Sequence, residues 1–270
     1  MRSKLMTKHL LIFLLFAFTL LSCDKNNLSY PDDPNYPTVI KKLNSGTLAE
    51  LRNSYAQKNK YLTSSLNEYG FCSYSEANAT VDTPPLLNMP TQPEAIEIVK
   101  SFVSQNSAFT SIKNPAEITF SDNFESSDYW DGASSLVLKT ANQRIDTLEV
   151  MYTQIIFHIK SRELVYCAGN CYPNVYIPNK FNINPENAKT SLLNKVVWHS
   201  TIAGVPYSAT ITAASLSAST IHLVVLPTTI NDQIELRVTW QINIPGPVYY
   251  LIFVDVMTGE LISEQPTIIS

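Results

Sequence analysis

Apolar and polar positions repeat with two different periods along this chain. In "TQPEAIEIVKSFVSQN", residues 91–106, Ala95, Ile96, Val99, Phe102 and Val103 fall on one stripe at helical spacing, the mark of an amphipathic α-helix. Thr91 stands three residues before Glu94 as a capping box, and Pro93 lies in the first turn. A similar opening recurs at "NINPENAKTSLLNKVVW", where Asn184 is the cap, Pro185 takes the first helical position, and Ala188, Leu192, Leu193 and Val196 form the stripe. After each helix the period falls to two. "EITFSDNF", "SSLVLKT", "TLEVMYTQIIFHI" and "ELVYCAGNCYP" follow the first; "YSATITA", "TIHLVVLP", "IELRVTWQINI" and "VYYLIFVDV" follow the second, all strand-like. The last run breaks at a polar turn with Gly259 and resumes at Leu261 and Ile262, predicting a β-hairpin. Two successive helix-then-antiparallel-sheet units, residues 91–183 and 184–270, predict an α+β fold with helices on one sheet face.

Upstream, Leu43, Leu48, Leu51, Tyr55, Leu62 and Leu66 recur at near-helical spacing with Thr47 as a cap, so residues 39–90 are expected to hold one or two short helices and then an irregular connection from Cys72 to Pro90. Residues 23–38 include "DKNNLSYPDDPNYPT", with three prolines and almost no aliphatic residue. This is the composition of a tether, which in a largely extended state reaches about 45 Å at about 3.1 Å per residue.

Residues 1–22 differ from everything that follows. Arg2, Lys4 and Lys8 precede an apolar run from Leu10 to Leu21, the layout of a secretory signal peptide. The run ends in "LLSC", which resembles the lipobox of bacterial lipoproteins and implies cleavage before Cys23 and acylation of that residue; the alternative is an ordinary signal peptide with an incidental cysteine. Several acyl chains would hold the mature protein on a membrane, expected to be the outer membrane of the cell envelope. The leader carries three of the 19 basic residues and none of the 23 acidic ones, so the mature net charge falls to −7. That charge, with no basic cluster, argues against nucleic acid as a partner. Glycine is scarce, at 7 of 270 residues, and no phosphate-cradling loop or other cofactor motif can be drawn.

Beyond Cys23, the cysteines are Cys72, Cys167 and Cys171. An oxidising compartment allows one disulfide among them. The spacing leaves the pairing open, with a bridge from Cys72 to the "CAGNC" segment as the preferred reading. A three-cysteine metal site lacks a matching second ligand pair, and no metal is expected.

The order of these elements carries a resemblance. "AIEIVKSFVSQN" with the later strands and the turn Gly169, Asn170, Tyr172, Pro173 resembles the FTP half of the propeptide of thermolysin- and fungalysin-type metalloproteases, with Cys171 intruding in the turn and the family's "QxxNGxPV" stretch blurred into "LKTANQRIDTLEV". "INPENAKTSLLN", the Trp-containing strand and "VDVMTGE", where Asp255, Thr258 and Gly259 match, are similar to the PepSY half. The resemblance covers residues 91–264. It implies a propeptide-type fold without its protease, since the catalytic domain of that family follows this hairpin, whereas here the sequence ends at Ser270 and His158, His199 and His222 form no HExxH. The expected partner is a secreted protease or another envelope protein, inhibited or chaperoned in trans through an edge strand or the tail from Glu264 to Ser270, and removal of everything after Ile262 is expected to leave the fold intact.

No catalytic residue is assigned. His158 and His222 lie in strand-like runs, and His199 is read as meeting a helix C-terminus. The loop containing Tyr129, Trp130 and Asp131 offers aromatic surface with acceptors, and Tyr249 and Tyr250 must point to opposite faces of a strand; Tyr250 is taken as the outward one, completing a candidate binding surface. The rival reading is a structural or glycan-binding envelope lipoprotein with its site near Trp130.

Overall fold

A computed structural model describes residues 33–77, 81–82, 88–121, 125–128, 134–200 and 206–267. The leader, Cys23, Tyr129, Trp130 and Asp131 lie outside the described residues. Among the described residues, no helix is long and apolar enough to cross a membrane.

The fold is α+β, with few helices and several antiparallel sheets. In chain order the elements are β1 (Thr38–Lys41), α1 (Ser45–Lys58), β2 (Ser64–Leu66), β3 (Cys72–Ala77), α2 (Gln92–Gln105), α3 (Ser107–Thr110), β4 (Glu125–Asp128), β5 (Ser134–Lys139), β6 (Arg144–Ile145), β7 (Leu148–Val150), β8 (Ile156–Lys160), β9 (Glu163–Ala168), α4 (Pro185–Thr190), β10 (Val196–Ser200), β11 (Pro206–Thr210), α5 (Ala213–Ser217), β12 (Thr220–Ile230), β13 (Gln233–Ile244), β14 (Tyr250–Asp255) and β15 (Leu261–Pro266).

A seven-stranded sheet runs β15-β14-β13-β12-β7-β6, with β1 added to β13. Four strands, β4-β5-β8-β9, make a second sheet, while β2–β3 and β10–β11 are separate hairpins. The helix α2 has the capping box that its sequence predicts, Glu94 accepting from the Thr91 N–H at 2.7 Å. Its stripe of Ala95, Val99, Phe102 and Val103 is buried with Tyr55 of α1 and Leu138, Phe157 and Ile159 of the second sheet. Aliphatic burial of this kind contributes roughly 1.5–3 kcal/mol per side chain. A second core lies between β13, β14, α4 and α5, and a third joins Tyr36, Phe71 and Tyr172 to Val225, Leu236 and Val238.

Several expectations are corrected. Helix α1 is capped by Asn44, whose side chain accepts from the Thr47 N–H at 2.9 Å; Thr47 is not the cap. Cys72–Ala77 is a strand rather than an irregular connection. The described residues of "EITFSDNF", 117–121, hold an isolated bridge from Phe120 to Thr140 rather than a strand, and "TLEVMYTQIIFHI" breaks between β7 and β8, where Tyr152 takes φ 59°. Helix α4 stops at Thr190. Asn194 then adopts φ 65° and bonds the Ile211 carbonyl, so Leu193 and Val196 leave the helix and lie exposed.

The boundary at residue 183 does not divide the sheets. Strand β7 pairs in parallel with β12, Glu149 beside Val224 and Val150 beside Val225. The tether also ends earlier than residue 38, because Tyr36 is buried and Thr38 begins β1.

Candidate functional site

Strand β13 alternates Ile234, Leu236, Val238 on one face with Glu235, Arg237, Thr239 on the other. The polar face receives Asp255 from the end of β14, since Thr239 and Asp255 are directly paired. Asp255 is fully buried and Arg237 is 3% exposed, so their charges must be satisfied inside the protein. Arg237 Nη1 donates to Asp255 Oδ2 at 3.0 Å, and its Nη2 and Nε donate to Glu235 Oε2 at 2.6 and 2.9 Å. Tyr36 completes the set: its hydroxyl donates to Asp255 Oδ2 at 2.9 Å and accepts from the Val238 N–H at 3.0 Å. Burial, followed by the negative Asp255, raises the Tyr36 pKa, which keeps the hydroxyl protonated as a donor.

The other Asp255 oxygen builds the hairpin turn. Oδ1 accepts from the Met257 and Thr258 N–H groups at 2.7 and 3.0 Å. The Gly259 N–H donates to the Asp255 carbonyl at 2.9 Å, with φ 74° at the glycine, a conformation that side chains disfavour. Thr258 Oγ1 accepts from the Glu260 N–H at 3.2 Å. Asp255, Thr258 and Gly259 thus shape the turn from which β15 leaves.

Among the described residues β15 bonds only β14 within its sheet, so its outer row of backbone groups has no strand partner there. The remaining edges differ. β6 has two residues and β1 and β4 have four each, while β9 is covered: Val165 accepts from Thr63 N–H at 2.9 Å, Cys167 N–H donates to Ser64 Oγ at 3.3 Å, and Gly169 N–H donates to the Cys72 carbonyl at 3.3 Å. The segment from Glu264 is also less free than its sequence suggests, because Glu264, Gln265 and Pro266 pair with Ile252, Leu251 and Tyr250. Glu264 further pairs with Lys195 at 3.0 Å.

The "GNCYP" turn is fixed by Gln143, which accepts from the Tyr172 N–H at 2.9 Å and donates to its carbonyl at 2.8 Å. Gly169 takes φ 139°, and a Cβ there would lie 2.3 Å from the Gln154 carbonyl oxygen. Asn170 Nδ2 is 3.4 Å from the Tyr172 hydroxyl. Pro173 and Cys171 line a cavity of about 580 Å³ with Ile112, Ile118, Ile145 and Ile155. Burial pushes the half-buried Cys171 thiol up to about 11.

The three described cysteines, Cys72, Cys167 and Cys171, are free thiols. Cys72 and Cys167 are buried in one apolar cluster with Tyr55, whose hydroxyl lies 3.4 Å from the Cys72 sulfur. The hydrogen bond from Cys167 favours negative charge on Cys72 and lowers its pKa, whereas burial raises that of Cys167.

Two other expectations change. Tyr250 is 5% exposed, its hydroxyl donating to the Trp198 carbonyl at 2.9 Å, so it does not face outward; Tyr249 does, on a backbone with φ 46°. His199 is buried on β10 against the Tyr250 ring at 4.8 Å, not at a helix end. His158 lies on β8, 4.8 Å from the Tyr166 ring, and His222 is exposed on β12. Trp198, 65% exposed on β10, had no signal in the sequence beyond its type. Among the described residues, no group of three or more His, Cys, Asp or Glu side chains gathers as a metal site.

No family model matches the chain, and no curated protein matches it. Among solved structures it is similar to the Bacillus megaterium YpeB C-terminal domain, with 10% sequence identity and a TM-score of 0.31, over 84% of this chain and 99% of that one. No family membership follows from that level of similarity.

Proposed function

We propose that the chain is a lipid-anchored, non-catalytic binding protein of the cell envelope, a propeptide-like scaffold that holds an extended segment of a secreted protease or other envelope protein along β15. The observation that carries this reading is the outer edge of β15, six residues long and without a strand partner among the described residues, where the other edge strands of the two larger sheets, β1, β4, β6 and β9, are shorter or covered. Backbone groups along such an edge pair with an added strand, which supplies affinity without demanding one side-chain sequence. The leader with its "LLSC" ending supports the anchor, and the Asp255 turn matches the resembled propeptides at the residues that aim β15.

The test is to incubate residues 24–270 with a panel of secreted zinc metalloproteases from the same source and follow peptide hydrolysis. Dose-dependent inhibition without cleavage of the chain is expected. No inhibition across the panel by protein shown folded by circular dichroism would refute the protease reading.

A second reading, an envelope protein that binds a small ligand, is favoured by one observation: the cavity of about 580 Å³ beside Cys171 falls in the range of small-molecule sites.

A further inference from the structure

Cys72 and Cys167 meet where two parts of the chain are joined. Cys72 opens β3, pairs with Leu66 of β2, and accepts the Gly169 N–H at its carbonyl. Cys167 lies in β9 opposite Phe157, and its own N–H donates to Ser64 of β2. Both side chains belong to the same buried cluster as Tyr55 and Phe157. Cys171 only packs at the edge of that cluster and lines the cavity.

We propose that Cys72 and Cys167 form an intramolecular disulfide when the chain folds with a disulfide oxidant present, leaving Cys171 as a thiol in the cavity wall. The Cys72 thiolate attacks one sulfur of the oxidant, here glutathione disulfide, and expels a glutathione thiolate. The Cys167 thiolate then attacks the Cys72 sulfur of the mixed disulfide and expels the second glutathione. One S–S bond forms as the oxidant's breaks; two protein thiols are oxidised, and two glutathione thiols carry away the protons and electrons. The bridge ties the β2–β3 hairpin to β9. It fastens the cover over that edge, while β15 keeps its own edge free for a partner. This consequence for β15 rests on the reading under Proposed function, whereas the pairing itself rests on the placement of the two thiols.

The experiment dilutes the reduced full chain from urea into buffer containing reduced and oxidised glutathione, quenches with acid, alkylates the unfolded protein and maps the peptides. In the unprocessed, unlipidated chain alkylation is expected at two of the four cysteines, Cys23 and Cys171, with a linked peptide pair joining Cys72 to Cys167. The same pair is expected in Cys171→Ser. Alkylation of all four cysteines in protein that has regained its native circular dichroism, or a dominant link from Cys171 to either of the others, would overturn the proposal. Because the assay supplies the oxidant, its failure says nothing about envelope location or the β15 edge, and the inhibition test can fail while this pairing stands.

Discussion

The Tyr36 hydroxyl donates to Asp255 Oδ2 at 2.9 Å across 219 positions of sequence. It does so at the point on β13 between the last partner of β1, Leu236, and the last partner of β14, Thr239. The phenol therefore bridges a gap in the sheet and, as a neutral donor, stabilises the buried Asp255 charge. Removing that hydroxyl in Tyr36→Phe is expected to destabilise the protein by about 1–3 kcal/mol, the usual effect of stranding a buried polar partner. Asp255→Ala, which leaves Arg237 short of one carboxylate, is expected to lose about 3–5 kcal/mol. Urea unfolding of the two variants checks the order; an Asp255→Ala protein as stable as wild type would contradict it.

The two motif glycines differ in what surrounds them. At Gly259 a Cβ would meet the Ile183 side chain, Cδ1 at 3.2 Å and Cγ1 at 3.4 Å, with φ 74°, so Gly259→Ala is expected to lose about 1–2 kcal/mol from backbone conformation. At Gly169 the clash is with backbone, 2.3 Å to the Gln154 oxygen and 2.7 Å to the Ile155 Cα. Gly169→Ala is therefore expected to lose more than Gly259→Ala, at least about 2–3 kcal/mol. Thermal unfolding of both variants side by side reads the difference.

Glu94 should contribute to stability in a defined pH window. Its pKa is lowered from 4.5 to about 2 by the Thr91 backbone N–H, then by Arg162 and the Thr91 hydroxyl. A carboxyl depressed in the folded state stabilises above its unfolded pKa and loses that effect as pH falls through the folded value. Wild type is thus expected to exceed Glu94→Gln in urea midpoint above pH 4.5, with the gap narrowing as pH drops and closing near pH 2. Parallel pH series on the two proteins test it, and a gap independent of pH would rule out the charge as its source.

Ending the chain after Ile262 is expected to weaken the fold, contrary to what the sequence suggests. It removes Ser263–Pro266 from their pairing with β14 and breaks the Lys195–Glu264 ion pair. Each lost ladder bond should lower stability by about 1 kcal/mol, whereas ending the chain after Thr267 retains the described pairing. Comparing urea midpoints of the two truncations distinguishes strand from free tail.

What was legible in the sequence was local. The α2 stripe, its capping box, the Asn184 cap and the Asp255 turn depend on residues within a few positions of one another, and each forms as its spacing suggests. Tyr36 was hidden because its neighbours, prolines and aspartates, have tether composition, and its partners lie on β13 and β14. The over-long second helix has a similar cause. Leu192 and Val196 keep helical spacing, but Asn194 and Lys195 exchange backbone bonds with Ile211, a long-range pairing that no local pattern announces. Gln143 is the converse case: the stretch that matches the resembled family least well supplies the side chain that holds the "GNCYP" turn.

The most direct measurement of the central claim is amide hydrogen exchange of the chain, alone and with a saturating amount of a secreted zinc metalloprotease from the same source. Added-strand binding predicts slower exchange at Leu261–Gln265 in β15, with β9 amides unchanged because their edge is already covered. Unchanged exchange along β15, whether or not other segments slow, would contradict the claim that this edge is the binding surface.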